Sequence, residues 1–79
     1  MSSSCIIVVN GPHAKEQAEA IANHYGVSCT ESEDGESWEV ECSPAVEQAF
    51  CMSEEGFDEA VKEVTAATGV VINPEDIEF

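Results

Sequence analysis

Cysteine, histidine, serine and acid are the side chains in this sequence that could carry chemistry, and their spacing decides what chemistry that is. Cys5, Cys29, Cys42 and Cys51 are widely separated, no C-x-x-C occurs, and no histidine lies within a few residues of any cysteine. Protein zinc sites draw paired ligands from short spacings, so no metal site is expected and the cysteines read as small buried hydrophobes. His13 and His24 fall near the two ends of one predicted helix and form no i, i+4 pair. A catalytic histidine or cysteine needs a partner it activates or is activated by, and no G-x-S-x-G or comparable signature supplies one. Asn10-Gly11-Pro12-His13 reads as a strand-to-helix turn, a place where anions bind, but it lacks the several glycines of a phosphate loop. The expectation is a protein that is not an enzyme and takes no cofactor.

What remains is acid. Seventeen Asp and Glu face only Lys15 and Lys62, and the net charge is −15. Direct nucleic-acid binding is excluded, because a phosphate backbone needs a basic groove. An anionic membrane is disfavoured by the same sign. The natural partner is a basic surface. Adaptation to high salt is the competing explanation, yet Glu outnumbers Asp 14 to 3 and the chain carries four cysteines. Disorder is set aside for most of the length, because 43% of the residues are hydrophobic and they fall in periodic patterns.

The acids are positioned first of all by residues 27–42, which read as a β-hairpin. Asp34-Gly35 suits a two-residue type I′ loop. With that turn, Glu33 faces Glu36, Glu31 faces Trp38, Cys29 faces Val40, and Val27 faces Cys42. Period-two alternation then places Val27, Cys29, Trp38, Val40 and Cys42 on one face, with Glu31 near its end. The other face carries Ser28, Thr30, Ser32, Ser37, Glu39 and Glu41. Cys29 and Cys42 are diagonal neighbours roughly 7–8 Å apart, long for a disulfide, and a cytoplasmic chain keeps its thiols reduced. Four free thiols are expected.

Residues 5–9 form a β-branched apolar run that suits a strand buried on both faces. The helix that follows is predicted over about 12–25, with Asn10 or Gly11 as its cap and Pro12 at its first position. Its apolar stripe is Ala14, Ala18, Ile21, Ala22 and Tyr25, and Gly26 stops it. Residues 44–50 read as a short helix capped by Ser43, with a strand through Ala49 to Met52 as the alternative. Ser53 opens a second long helix with Phe57, Val61, Val64 and Thr68 on its buried stripe and acids in its first turn. Gly69 ends it. Residues 70–72 read as the last strand, and residues 75–79 as an acidic tail with two apolar residues that dock.

The order β-α-β-β-(short helix)-α-β, in one domain over residues 1–79, resembles the ferredoxin-like sandwich. Two helices are expected on one face of a four-stranded antiparallel sheet, with the first and third strands central. The open face then carries Glu39 and Glu41 beside one parity of the first strand, either Ile6 and Val8 or Cys5, Ile7 and Val9. It is expected to be apolar in the middle and acidic to one side, and it offers a homodimer contact. An RNA-recognition domain would want aromatics on the first and third strands; the first has none and Trp38 is on the core face. A metallochaperone would want two cysteines where Asn10-Gly11-Pro12-His13 stands. A small-molecule regulatory domain, whose site is made largely of backbone, stays open.

In size and charge the whole chain is similar to the small acidic phage proteins that mimic DNA, anti-CRISPR proteins and inhibitors of restriction or repair enzymes among them. The resemblance rests on no motif and carries over no family residue. It implies an inhibitor that occupies a basic DNA-binding channel of its target. The contacts expected from the residues themselves are Glu31, Glu33, Asp34, Glu36, Glu39 and Glu41, with a second row on the later helix at Glu55, Asp58 and Glu59. A regulatory or adaptor domain for a basic protein partner is the alternative. No membrane span is expected, since no apolar run approaches roughly 20 residues. No signal peptide is expected either, because residues 5–9 are too short for its apolar core and lack a basic start. Cytoplasm follows, that of the host if the protein is phage-encoded.

Overall fold

A computed structural model describes residues 7–33 and 35–78 of the chain. Its elements are β1 (Ile7–Val9), α1 (Ala14–Tyr25), β2 (Cys29–Glu31), β3 (Trp38–Val40), α2 (Pro44–Phe50), α3 (Glu54–Thr68), a 3-10 turn at Pro74–Asp76 and β4 (Ile77–Glu78). The fold is α+β: one antiparallel four-stranded sheet in the order β2-β3-β1-β4, with three helices. The first and third strands are central. Cys5 and Ile6 of the expected first strand, Asp34 of the turn and Phe79 of the tail lie outside the described residues.

The hairpin pairs as its alternation predicts: Cys29 opposite Val40, Thr30 opposite Glu39 and Glu31 opposite Trp38. Its turn differs from the expected two-residue loop. Backbone bonds join Glu41 N–H to Ser28 O and Ser32 N–H to Ser37 O. Antiparallel pairs alternate between bonded and non-bonded, so Glu33 and Glu36 fall at a non-bonded position and residues 33–36 form the loop. Gly35 N–H closes it onto Ser32 O at 3.0 Å. A two-residue loop would make Glu33 and Glu36 the bonded closing pair; here both stand exposed in the loop. Ser32 and Ser37 close the ladder instead, and their hydroxyls share a 3.1 Å hydrogen bond.

The short segment after the hairpin is a helix. Ser43 Oγ accepts from Val46 N–H, Pro44 occupies the first turn, and Val46 and Phe50 are buried. Ser53 caps α3 in the same way, accepting from Gly56 N–H at 3.0 Å. Against two expected helices the core is covered by three. α1 lies on β1, β2 and β3, and α3 packs on α1 and α2. Ile7, Val9 and Val40 from the sheet meet Ala18, Ile21, Val46, Phe50 and Val64 from the helices in one core.

Two further expectations are corrected. α1 begins at Ala14, with His13 at its cap position, rather than at Pro12. Gly11 takes φ +91°, so the chain turns once more before the helix starts. The fourth strand is Ile77–Glu78, not residues 70–72. It pairs with β1 through Val8–Glu78 and Val9–Ile77. Residues 70–73 leave the sheet because side chains on the helices take their backbone donors: Ile72 N–H bonds Thr65 Oγ1, and Asn73 N–H bonds Gln17 Oε1 at 2.6 Å. Val71 is left 75% exposed.

Gln17 is the polar residue at the centre of that arrangement. It is 2% exposed, and its Nε2 lies 3.3 Å from Asp76 Oδ2 and 3.4 Å from His13 O. Asp76 in turn accepts Asn10 N–H on its backbone oxygen at 2.7 Å. The first strand-helix turn and the C-terminal turn are thus locked together, which is what aligns β4 with β1. A Cβ at Gly11 would approach Asp76 Oδ2 to 2.9 Å, on top of the strain of φ +91°. Gly11→Ala is therefore expected to destabilise the fold by about 1–3 kcal/mol, read as a lower midpoint in denaturant. An unchanged midpoint would show that the lock is not needed.

Candidate acidic interface

The pairing of β1 settles which parity faces outward. Ile7 and Val9 are buried under the helices, and Val8 lies on the open face. One row there runs Thr30, Glu39, Val8, Glu78 across all four strands. Glu41 lies one residue past the end of β3, with its N–H bonded to Ser28 O, and continued alternation puts it on the side of Glu39, about 6.6 Å away. Glu78 is two strands from Glu39, at roughly twice the 4.8 Å strand spacing. Acid therefore brackets Val8 on both sides, where the sequence led us to expect acid on one side only.

Glu78 is the site residue that sequence reasoning missed. The reading of residues 75–79 as an acidic tail leaves it out. The signal was present in Ile77-Glu78-Phe79, whose alternation is that of a half-buried strand. Its Oε2 lies 3.4 Å from Asn10 Nδ2.

The other expected residues are placed as follows. Glu31 is exposed at the edge of the helix-covered side, opposite Trp38. Glu33 and Glu36 are exposed in the loop, and Asp34 lies outside the described residues. Glu41 is exposed and Glu39 half-buried. Glu55, Asp58 and Glu59 are exposed on α3. That helix turns Ala60, Val61 and Val64 inward, so its acids belong to the helical layer and face away from the sheet. The hairpin acids and the α3 acids are not one surface. The structure brings together Glu39, Glu41 and Glu78, and it separates them from the second row.

Little in the surroundings neutralises these charges. Contacts at ion-pair distance include His13 Nδ1–Glu16 Oε2 at 3.9 Å and His24 Nε2–Glu63 Oε1 at 3.6 Å. Neither lysine takes part in them. The molecule measures 34 × 28 × 21 Å. A Debye length of about 30 Å at 0.01 M salt lets every acid feel every other, whereas about 10 Å at 0.1 M limits repulsion to near neighbours. Raising salt over that range is expected to raise Tm, by about 4–8 °C for each 1 kcal/mol of repulsion relieved in a domain of this size. A flat Tm measured by calorimetry would contradict this account of the surface.

The remaining chemistry-bearing groups are placed in structural roles. Cys29 is a free thiol, and Cys5 lies outside the described residues. Burial, followed by the nearby Glu19 carboxylate, pushes the Cys29 thiol above its ordinary pKa, which disfavours the reactive thiolate. Burial, followed by Glu63, likewise raises the Tyr25 hydroxyl. At the first strand-helix turn the Asp76 carboxylate stands beside Gly11, so the place where an anion would approach is already held by an acid. Among the described residues no three metal-ligating side chains converge, and no helix is long and apolar enough to cross a membrane.

Compared with known protein families, with curated proteins and with solved structures, the chain matches none.

Proposed function

We propose that this chain is a DNA-mimicking inhibitor, non-enzymatic, that fills a basic nucleic-acid-binding surface of a target protein in the manner of an anti-CRISPR or similar anti-defence protein. The observation that carries the reading is the open sheet face. Glu39 and Glu78 stand there on paired strands, with Glu41 one residue past the end of β3, in a chain of net charge −15. Pre-set carboxylates meet lysines and arginines without the entropy of ordering a loop. Duplex DNA carries one charge per about 1.7 Å of axis, and a compact acidic domain can approach that density over a limited surface. The fold itself reads as a ferredoxin-like sandwich with α2 inserted before α3; the strand order and the central first and third strands support this.

An adaptor for a basic protein partner is the second reading. It is favoured by the separate acidic surface of α3, which faces away from the sheet and could engage a partner of its own.

Competition separates the two. Bacterial lysate is passed over immobilised protein, and the bound fraction is challenged with duplex oligonucleotide at constant ionic strength. A mimic's targets are released by the duplex and bind it in turn. Retention that yields only to a salt step, with no DNA binding by the eluted proteins, would favour the adaptor.

A further inference from the structure

Among the described residues the sheet ends on one side at β2, and no strand pairs with that edge. Backbone bonds to β3 are made at Ser28 and Ser32, with Thr30 opposite Glu39 between them. By the alternation of antiparallel ladders, the N–H and C=O groups of Cys29 and Glu31 point outward, away from β3. Such a row is a template for another strand, and proteins commonly block it with lysine, proline or a bulge. Residues 27–32 contain no lysine, proline or glycine. The charge at this edge is Glu31, with Glu33 and Glu36 in the adjoining loop. Acid alone repels a second copy of this chain, since acid would meet acid, but it leaves the edge open to a strand of the opposite sign.

The side chains specify more. On the open face β2 presents Ser28, Thr30 and Ser32, all small. Glu41 and Glu39 stand one strand behind Ser28 and Thr30. A strand added beyond β2 would lie about 4.8 Å out, hence roughly 9.6 Å from β3. Long basic side chains on it can lie across the low hydroxyl row and meet Glu39 and Glu41. Only alternate residues of the added strand face that side.

We infer that the β2 edge docks an extended basic segment of the partner as an antiparallel fifth strand, with Lys or Arg at alternate positions facing the open side. The inference rests on the proposed function only for the sign of the partner's charge. It adds a mode of binding, strand addition, in which main-chain bonds supply affinity and alternate side chains supply specificity.

The probe is a synthetic peptide of about seven residues that alternates Thr and Lys. Two N-methylated versions keep its charge. One is methylated at the Thr positions, whose N–H groups would face β2, and the other at the Lys positions, whose N–H groups would face solvent. The unmodified peptide and the Lys-methylated peptide should bind, and the Thr-methylated peptide should lose about tenfold or more in affinity. Binding should slow hydrogen exchange at the Cys29 and Glu31 amides. Equal affinity for the two methylated peptides, or unchanged exchange at those amides, would overturn strand addition and leave attraction by charge alone. Protection of both amides in a dimer of the protein, with no peptide present, would overturn it too, because the edge would then be a self-contact. If no peptide binds, the inference falls, while the DNA-displacement experiment still decides the broader reading on its own.

Discussion

Phe50→Ala is expected to cost about 3–5 kcal/mol of stability, the range for truncating a fully buried aromatic. Phe50 is 1% exposed at the end of α2. It stacks edge-on against Tyr25 of α1, with ring centroids 5.8 Å apart, and against Phe57 of α3 at 5.7 Å. Each such pair contributes about 0.5–1.5 kcal/mol beyond the area it buries. One side chain thus joins all three helices. At the usual 0.05–0.15 kcal/mol per residue a domain of this length holds roughly 4–12 kcal/mol. The substitution therefore removes a large part of the total, and Tm should fall by more than about 12 °C. Phe50→Leu keeps most of the volume and should cost distinctly less. Chemical denaturation followed by circular dichroism reads both variants. A loss below about 1 kcal/mol for Phe50→Ala would mean that α2 does not dock as described.

The second large effect is functional. Reversing Glu39 and Glu41 together to lysine is expected to abolish binding to a basic target. Central, desolvated charge pairs cost about 2–5 kcal/mol or more when broken, and like charges brought together cost several more. Both residues stand on the open face, clear of the core, and Glu39 lies across Val8 from Glu78. Replacing it with lysine relieves repulsion there, so the fold should survive, with circular dichroism as the control. Single neutral substitutions at Glu33 or Glu36, in the exposed loop, should do little, because rim charges act mainly on association rate and salt dependence. The matching reversal of Glu55 and Glu59 on α3 tests the rival patch. If the sheet-face reversal were folded and fully inhibitory, the hairpin would leave the site; if the α3 reversal were equally silent, mimicry itself would be dropped.

The hairpin was the most legible part of the chain, and for a physical reason. Alternation of polar with apolar residues puts Trp38 and Val40 on one face with Cys29, and Asp34-Gly35, by marking the bend, sets the register. The loop was less legible, because Asp34-Gly35 suits a two- or a four-residue loop over the same opposed residues, and the bonds that choose between them, at Ser32 and Ser37, are polar contacts that alternation does not mark. The last strand was misplaced because Val70-Val71-Ile72 is the more apolar run. What decides the matter is Gln17, whose partners Asn73 and Asp76 lie 56 and 59 residues away. A glutamine inside an apolar helical stripe gives no sign at sequence level of which distant backbone it will hold. Glu78 was lost from the candidate site with that strand. The parity of β1 was undecidable for a related reason: residues 5–9 are apolar at every position, so alternation carried no information there.

The central claim is that this protein and duplex DNA compete for one surface. The direct measurement is fluorescence anisotropy of a labelled duplex bound to a target captured by the immobilised protein, titrated with wild-type protein and with the E39K/E41K variant. Wild-type protein is expected to displace the duplex completely, and the variant to leave it bound. A stable ternary complex of target, duplex and wild-type protein would contradict it.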